Sequence, residues 1–466
     1  MIDIKMIKKN ILSAAYQGKL SRTADYTVKG LDELHASIKK YQDVTDSEKL
    51  IETPPHWKWS RLGYISNNHG QKTPSDTFSY IDVGTLDNVH QRLAKEENII
   101  LANDAPSRAK KIVEYGDVIY STVRPYLHNI CIIDKTFSLE PIASTAFCVM
   151  SVKPEVIINK FLFYWLLTPE FDKYANGDPS KGTLYPAIRE KDLLAGVIPI
   201  PPLEEQAEII EKVDEAFNAL SNLEAAQSAY SSDLEVLKSK IIDAGIKGKL
   251  TEQLPEDGNA EDLYAAIQEE KESLIKEKKI KKPKALPEIT EDEIPFEIPD
   301  NWKWVHLGDL SYSIQYGYNA PAKAAGRIRM VRISDIQNGV VCWNTVPFCD
   351  IEEEDIAAYL LKENDILFAR TGGTVGKSYI VSDVPEEAIF AGYLIRTSYS
   401  SKLSAKYMKF FMESNFYWKQ LRNGTISTAQ PNCNGQTLSK MIVPIPPFSE
   451  QIRIVEKIDN ILDAIS

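Results

Sequence analysis

The chain has little of what covalent staples and metal centres require. Its 466 residues hold five cysteines, Cys131, Cys148, Cys342, Cys349 and Cys433, with no C-x-x-C pair. Its six histidines fall nowhere at ligand spacing. A disulfide scaffold and a structural zinc site are thereby excluded, and the cysteines read as small buried hydrophobes. No apolar run approaches the roughly 18 residues of a membrane helix. The opening MIDIKMIKKN lacks the apolar core and cleavage site of a secretory signal, so a cytoplasmic location is expected.

Enzyme signatures are missing as well. No G-x-G-x-x-G opens a helix after a strand, and neither H-E-x-x-H nor G-x-S-x-G occurs. The string Thr371-Gly-Gly-Thr-Val-Gly-Lys-Ser378 invites comparison with a phosphate-binding loop, but Thr stands where its first Gly is needed. Tyr379-Ile-Val381 then reads as strand where such a loop runs into a helix. The string fits a Gly-rich turn that lets backbone approach a ligand closely. The carboxylate run Asp350 to Asp355 lacks the Gly-turn spacing of a calcium loop and reads as a solvated turn. No metal and no catalytic residue is expected in this chain.

What is present is an ordinary globular composition, 43% hydrophobic and 26% charged, on a chain long enough for several domains. The net charge is −12, but nearly all of the excess lies in residues 201–296. The large segments on either side are balanced, so each can carry a local basic face.

The strongest signal is internal repetition. Trp57-Lys-Trp59 recurs as Trp302-Lys-Trp304, and Ile198-Pro-Ile-Pro-Pro-Leu-Glu-Glu-Gln206 recurs as Val443-Pro-Ile-Pro-Pro-Phe-Ser-Glu-Gln451. Between them, Gly116-Asp-Val-Ile-Tyr120 matches Asn364-Asp-Ile-Leu-Phe368, and Tyr80-Ile-Asp-Val83 matches Met330-Val-Arg-Ile333. The Trp pairs, recurring at domain starts, read as packing residues rather than stacking platforms. A second repeat relates Ile11–Leu20 to Ile241–Leu250. Strand-like runs (118–123, 366–369) and helical runs (160–167, 406–413) make each large segment α+β.

Residues 204–247 read as one long helix, started by Pro201-Pro202 and stopped by Gly248. Ile210, Val213, Phe217 and Leu220, then Leu234, Leu237 and Ile241, step by three and four as a coiled-coil seam. Val455, Ile458, Leu462 and Ile465 copy its first half, and Ile4, Ile7 and Ile11 its second. The terminal helices are therefore expected to pack antiparallel on the central one, as in a cyclic two-fold arrangement opened within one helix. Residues 276–299 pass from basic to Pro-rich acidic and read as an exposed linker.

Two dissimilar domains, each closed by a P-I-P-P-x-x-E-Q signal and joined by repeated helices, resemble the specificity subunit of Type I restriction–modification systems. The strings Pro106-Ser-Arg-Ala-Lys110, Arg124-Pro-Tyr126, Ile142-Ala-Ser-Thr145, Arg332-Ile-Ser-Asp-Ile336, Asp365-Ile-Leu-Phe-Ala-Arg-Thr371 and Gly376-Lys-Ser378 fit in order. The resemblance implies an α+β fold of two repeated DNA target-recognition domains joined by long antiparallel coiled-coil helices, pseudo-two-fold and circularly permuted. The segments are then an N-terminal helical piece (1–53), a first recognition domain (54–202), a central helix and linker (203–297), a second recognition domain (298–446) and a C-terminal helix (447–466). It implies double-stranded DNA, two methyltransferase subunits and restriction/translocase subunits as partners. S-adenosylmethionine, ATP and Mg would serve those partners, with no cofactor in this chain.

Base reading needs Arg, Lys, amide and hydroxyl groups on loops or strand edges. In the first domain the candidates are Ser107, Arg108, Lys110 and Lys111, then Arg124 and Tyr126 with His128 and Asn129 beside them, and Lys181, Thr183, Tyr185 and Arg189. In the second they are Tyr316 and Tyr318 within Gln315–Asn319, then Lys323, Arg327, Arg329 and Arg332. Arg370, Thr371, Thr374 and Lys377 follow on the Gly-rich turn, and Thr425, Ser427, Thr428 and Gln430 on the loop matching 181–185. Dissimilar domains on a spacer imply an asymmetric split target. The competing expectation is a non-catalytic adaptor that gathers partner proteins through its repeated helices.

Overall fold

The computed structural model describes residues 2–21, 27–177, 187–337, 339–424 and 433–465. The chain forms two compact units, Met1–Ser228 and Ala229–Ser466, and the boundary falls inside the helix Leu203–Ile246.

In the first unit, strand Lys58–Arg61 pairs antiparallel with Val197–Ile200, the strand of the P-I-P-P signal, and Trp59 faces Pro199. A two-stranded ribbon tolerates Pro199 because a strand with one neighbour needs only half of its N–H groups. Between these strands lie two four-stranded sheets. One has the order Ile99–Ile100, Phe78–Ile81, Pro141–Ser144, Ala109–Ile112; the other Ser66–Asn67, Phe147–Val152, Val118–Ser121, Ile130–Ile132. Helices Asn159–Leu166, Pro169–Asn176 and Glu190–Ala195 complete the domain.

The second unit builds the same plan from different residues. Strand Lys303–His306 pairs with Ile442–Ile445, Trp304 facing Pro444. The sheet Ser311–Tyr316, Leu394–Tyr399, Ile366–Ala369, Ser378–Ile380 follows, beside a three-stranded sheet Phe348–Cys349, Ile328–Val331, Ala388–Phe390. The parallel pair that sets Tyr80 against Ile142 recurs with Met330 against Ile389. Helices Ala405–Phe411, Asn415–Gly424 and Gly435–Lys440 occupy the matching places. The α+β reading and the repeat are both realised. Ser378–Ile380 is a strand, as expected after a turn that is no phosphate-binding loop.

Trp57, Trp59 and Trp302 are buried in the cores, the first two with Trp165, Phe161 and Phe171. Trp304 is half-buried against Phe296 and Phe416, with ring centres at 5.0 and 5.6 Å. The contact with Phe296 pins the acidic end of the 276–299 linker, while its basic stretch is exposed.

Within each unit a terminal helix runs antiparallel to the long one. In the first, Ile4–Tyr16 lies so that Lys8 reaches Glu224 at 3.7 Å, while Lys212 donates to the carbonyl of Leu20 at 2.5 Å. In the second, Phe448–Ile465 lies with Arg453 on Asp257 at 2.6 Å and Ile454 and Ile458 over Gly245. The seam differs from the expected one. Ile209 is more deeply buried than Ile210, and Leu237 is 44% exposed. No residue from Asn218 to Leu237 is buried. The partner helices have 13 and 18 residues against 44, so the middle of the long helix lacks apolar cover. No helix among the described residues is long and apolar enough to cross a membrane.

The Gly-Lys-Leu copies end their helices alike. Gly18 and Gly248 sit at φ +71° and +67°, where an added Cβ would meet Pro54 Cγ at 2.3 Å and Pro299 Cγ at 2.6 Å. Both the left-handed turn and the proline stacked on it require glycine.

Candidate nucleic-acid interface

One backbone device recurs in both domains where a central strand ends. After Val118–Ser121, Thr122 N–H donates to Ala146 O at 2.8 Å and Thr122 O accepts from Ile188 N–H at 2.9 Å. After Ile366–Ala369, Arg370 N–H donates to Tyr393 O at 3.2 Å and Arg370 O accepts from Cys433 N–H at 3.0 Å. Thr122 and Arg370 thus occupy one structural position. Each leads into a single 3-10 turn, Pro125–Leu127 or Gly372–Thr374.

In the first domain that turn is entered and left through left-handed residues, Arg124 and His128, both at φ 51°. Such a backbone is costly for residues with a Cβ and persists only where the surroundings hold it. His128 is held by Asp172, with Nε2 2.9 Å from the carboxylate. Asn129 is buried beneath. Arg124 is exposed, and Tyr126 is 48% exposed. Ser107 and Arg108 are exposed on the turn before the edge strand Ala109–Ile112, with Lys110 half-buried.

Lys111 differs from expectation. It is 6% exposed, and its ammonium binds both carboxylate oxygens of Glu190 at 2.8 Å. Strand side chains alternate between faces, so Lys110 and Lys111 cannot both look outward. Arg189 is exposed but lies on Asp192 at 2.5 Å. Lys181, Thr183, Tyr185, Thr425, Ser427, Thr428 and Gln430 lie outside the described residues.

In the second domain the expected basic group divides. Lys323 pairs with Asp350, and Arg327 grips Glu353 through two bonds of 2.9 and 3.0 Å. Arg329 pairs with Glu386, donates to Val346 O at 2.9 Å and covers the Phe348 ring at 4.7 Å. Arg332 binds Asp335 at 2.8 and 3.0 Å. All four cations are engaged by carboxylates of their own domain. The Asp350–Asp355 run supplies two of those carboxylates and opens the helix Glu353–Tyr359, where a plain solvated turn was expected. The hydrogen bonds and charge of Arg327 hold the Glu353 carboxyl below its usual range.

Other expected residues gather at the Arg370 position. The Arg370 guanidinium lies over the Tyr316 ring at 4.6 Å, and the Tyr316 hydroxyl accepts the N–H of Gly435 at 2.9 Å. Thr371 and Thr374 are half-buried on the turn, and Lys377 is exposed. Tyr318 packs instead on Tyr359, with ring centres 5.2 Å apart.

Sequence reasoning missed Tyr393, which is 65% exposed and binds Arg370 through its carbonyl. A lone aromatic in the short turn between strands 388–390 and 394–399 was the available signal. Also unexplained from sequence was the E-Q pair of the repeated signal. Glu450 accepts from Thr251, Gln253 and Trp302, each at 2.9 Å. Glu205 takes Ser21 and His56 in the matching place. Among the described residues no group of three His, Cys, Asp or Glu side chains could hold a metal ion.

Residues 55–229 and 299–466 match the family model described as "Type I restriction modification DNA specificity domain". The chain is 24% identical over 530 aligned residues to the Type I restriction enzyme EcoAI specificity subunit of Escherichia coli, a match covering 99% of this chain and 89% of that protein. It is 26% identical over 282 residues to the EcoEI specificity subunit of the same species, covering 58% of this chain and 46% of that one. Among solved structures, a chain from a study of complex assembly and conformational transition of the type I R-M system aligns with TM-score 0.65 at 22% identity. That match covers 89% of this chain and 92% of that one. At that identity the likeness is one of fold.

Proposed function

The chain belongs to the Type I restriction–modification DNA specificity family, and from that premise we infer that it reads an asymmetric, bipartite DNA target, one domain to each half-site. The observation that carries this reading is the shared backbone position of Thr122 and Arg370. The same frame presents different side chains in the two domains, as two unlike half-sites require. Arg108, Arg124 and Tyr126 in the first domain, and Tyr316, Arg370 and Lys377 in the second, are the described groups that meet DNA. Exposed cations among them contact phosphates, and groups with fixed planes contact base edges.

Lys323, Arg327, Arg329 and Arg332 serve mainly to neutralise their own domain. Two methyltransferase subunits dock along the helices, for which the uncovered stretch from Asn218 to Leu237 leaves room. Restriction subunits join them. Catalysis, with S-adenosylmethionine, ATP and Mg, resides in those partners, and this chain acts as the recognition element. Two domains on one spacer place the half-sites about one turn of DNA apart, or a multiple of it.

The test is to map methylated bases in the source genome with and without this gene. A split motif methylated only when the gene is present is the expected result. Methylation that does not change with the gene would mark a silent or decoupled subunit or a protein adaptor. Salt-dependent binding of duplex DNA by the purified chain, absent for an adaptor, decides between them.

A further inference from the structure

The two domains agree in backbone at positions 122 and 370 and part there in chemistry. In the first, the Thr122 hydroxyl donates back to Ala146 O at 2.9 Å and is spent inside the domain. In the second, the guanidinium carbon of Arg370 stands over the Tyr316 ring, 4.6 Å from its centre. Its backbone is tied on both sides, to Tyr393 and to Cys433. Tyr316 is itself held by the N–H of Gly435 at 2.9 Å. Yet no hydrogen bond or ion pair from this guanidinium is made among the described residues, and its buried Nε has no partner. Arg327, Arg329 and Arg332, by contrast, each bind a carboxylate.

An arginine whose guanidinium is seated over an aromatic ring, and whose fork of N–H donors is unspent among the described residues, is prepared for a planar pair of acceptors. In the major groove guanine offers such a pair, N7 and O6. Seating the guanidinium beforehand lowers the ordering cost of the contact. We propose that Arg370 is a specificity-determining residue that reads a guanine in the half-site of the second domain, with Tyr316 as the residue that positions it. The first domain, with Thr122 at this place, does not read the equivalent base in this way. The proposal rests on the DNA-reading function inferred above.

The experiment uses the complete restriction–modification system, expressed in a host free of other methylation, with the motif read by single-molecule sequencing. Wild type is compared with Arg370→Gln, Arg370→Lys and Tyr316→Leu. Arg370→Gln should leave the first half-site and the spacer length unchanged. At one G·C pair of the second half-site, preference should fall about ten- to a hundred-fold. Arg370→Lys keeps the charge and stem but not the fork, and guards against a failure to fold; it should relax the same pair. Tyr316→Leu should relax that pair by less and no other.

An unchanged motif in Arg370→Gln would overturn the proposal. So would a loss of methylation in Arg370→Gln that is equal at every site and is restored in Arg370→Lys, with the subunits still co-purifying, which would mark a phosphate contact. If wild type yields no split motif at all, DNA reading itself fails, and that result is distinct from the others.

Discussion

The side-chain oxygen of Gln206 accepts the backbone N–H of Ile158 at 2.9 Å, and its amide donates to Val156 O and Pro201 O at the same distance. Gln451 repeats the arrangement, accepting from Ser404 N–H at 2.8 Å and donating to Pro446 O at 2.9 Å. Both side chains are fully buried. The Gln of the repeated signal therefore stitches the first turn of each following helix to the loop that opens helix Asn159–Leu166 in the first domain and Ala405–Phe411 in the second. The neighbouring Glu ties that turn to the segment before the Trp pair.

Replacing Gln206 or Gln451 by Leu strands these buried backbone groups. A buried unsatisfied group costs about 1–3 kcal/mol, so each substitution should cost about 3 kcal/mol. The loss should be confined to the unit that carries it. Hydrogen exchange on the full chain checks this: Gln451→Leu should raise exchange around 404–411 and leave 158–166 unchanged.

Gly248→Ala tests the helix ending. The residue sits at φ +67°, and the new Cβ would lie 2.6 Å from Pro299 Cγ. Strain of about 1 kcal/mol from the backbone adds to the displacement of Pro299 from Trp302, for a total of about 2–3 kcal/mol. Gly70→Ala is the control, since Gly70 has φ +79° but nothing within 4 Å of its added Cβ. It should lose only the backbone part, and the two denaturant midpoints should separate accordingly.

The repeat made the architecture legible. Equal spacing between the Trp pair and the P-I-P-P-x-x-E-Q signal located both domains, and strand 366–369 and the long helix fell where periodicity put them, to within a residue. The candidate interface was less legible, because the neutralisation of a charge is a tertiary fact. Arg329 meets Glu386, 57 positions away, and nothing local marks that pairing. Lys111 is another matter. The alternation buried, half-buried, buried, half-buried over Ala109–Ile112 follows from strand geometry, and an inward lysine was deducible once the run was read as strand. Leu237 deceived in the opposite sense, since heptad spacing marks a seam whether or not a partner helix reaches it.

His35, on the short helix Leu31–Ser37, gives the N-terminal segment a pH response. Its Nε2 lies 2.9 Å from the Ser60 hydroxyl and its ring stacks on Tyr41 at 4.3 Å. Burial lowers its pKa from the ordinary 6.5, outweighing the pull of Asp32 and Asp43 in the other direction. The unfolded chain therefore binds a proton more readily than the folded one. The stability that neutral His35 contributes is complete above pH 6.5 and is lost as pH falls through the lower folded value. Exchange of amides in 31–50 should rise between pH 7 and pH 5, after correction for intrinsic rates, relative to the helix Ala260–Lys276 of the second unit. His35→Gln should flatten that difference.

The contrast between Lys111 and Arg108 separates charge that holds the fold from charge that holds DNA. Lys111 is buried on Glu190, whose side chain is 34% exposed. Lys111→Met leaves that carboxylate without its cation but partly in water, so the loss is discounted from the several kcal/mol of a fully buried pair to about 1–2 kcal/mol. Arg108 is exposed, and among the described residues only its backbone carbonyl is engaged, by Thr145 N–H at 2.8 Å. Arg108→Ala should leave the denaturation midpoint within about 0.5 kcal/mol of wild type. If Arg108 meets a phosphate, its removal releases one counterion fewer, and the slope of log affinity against log salt should fall by about 1. Titration of duplex DNA against the assembled complex at several salt concentrations reads that slope. Lys111→Met should leave it unchanged while lowering stability; a shifted slope with intact stability would mean that Lys111 leaves Glu190 and turns outward to the DNA.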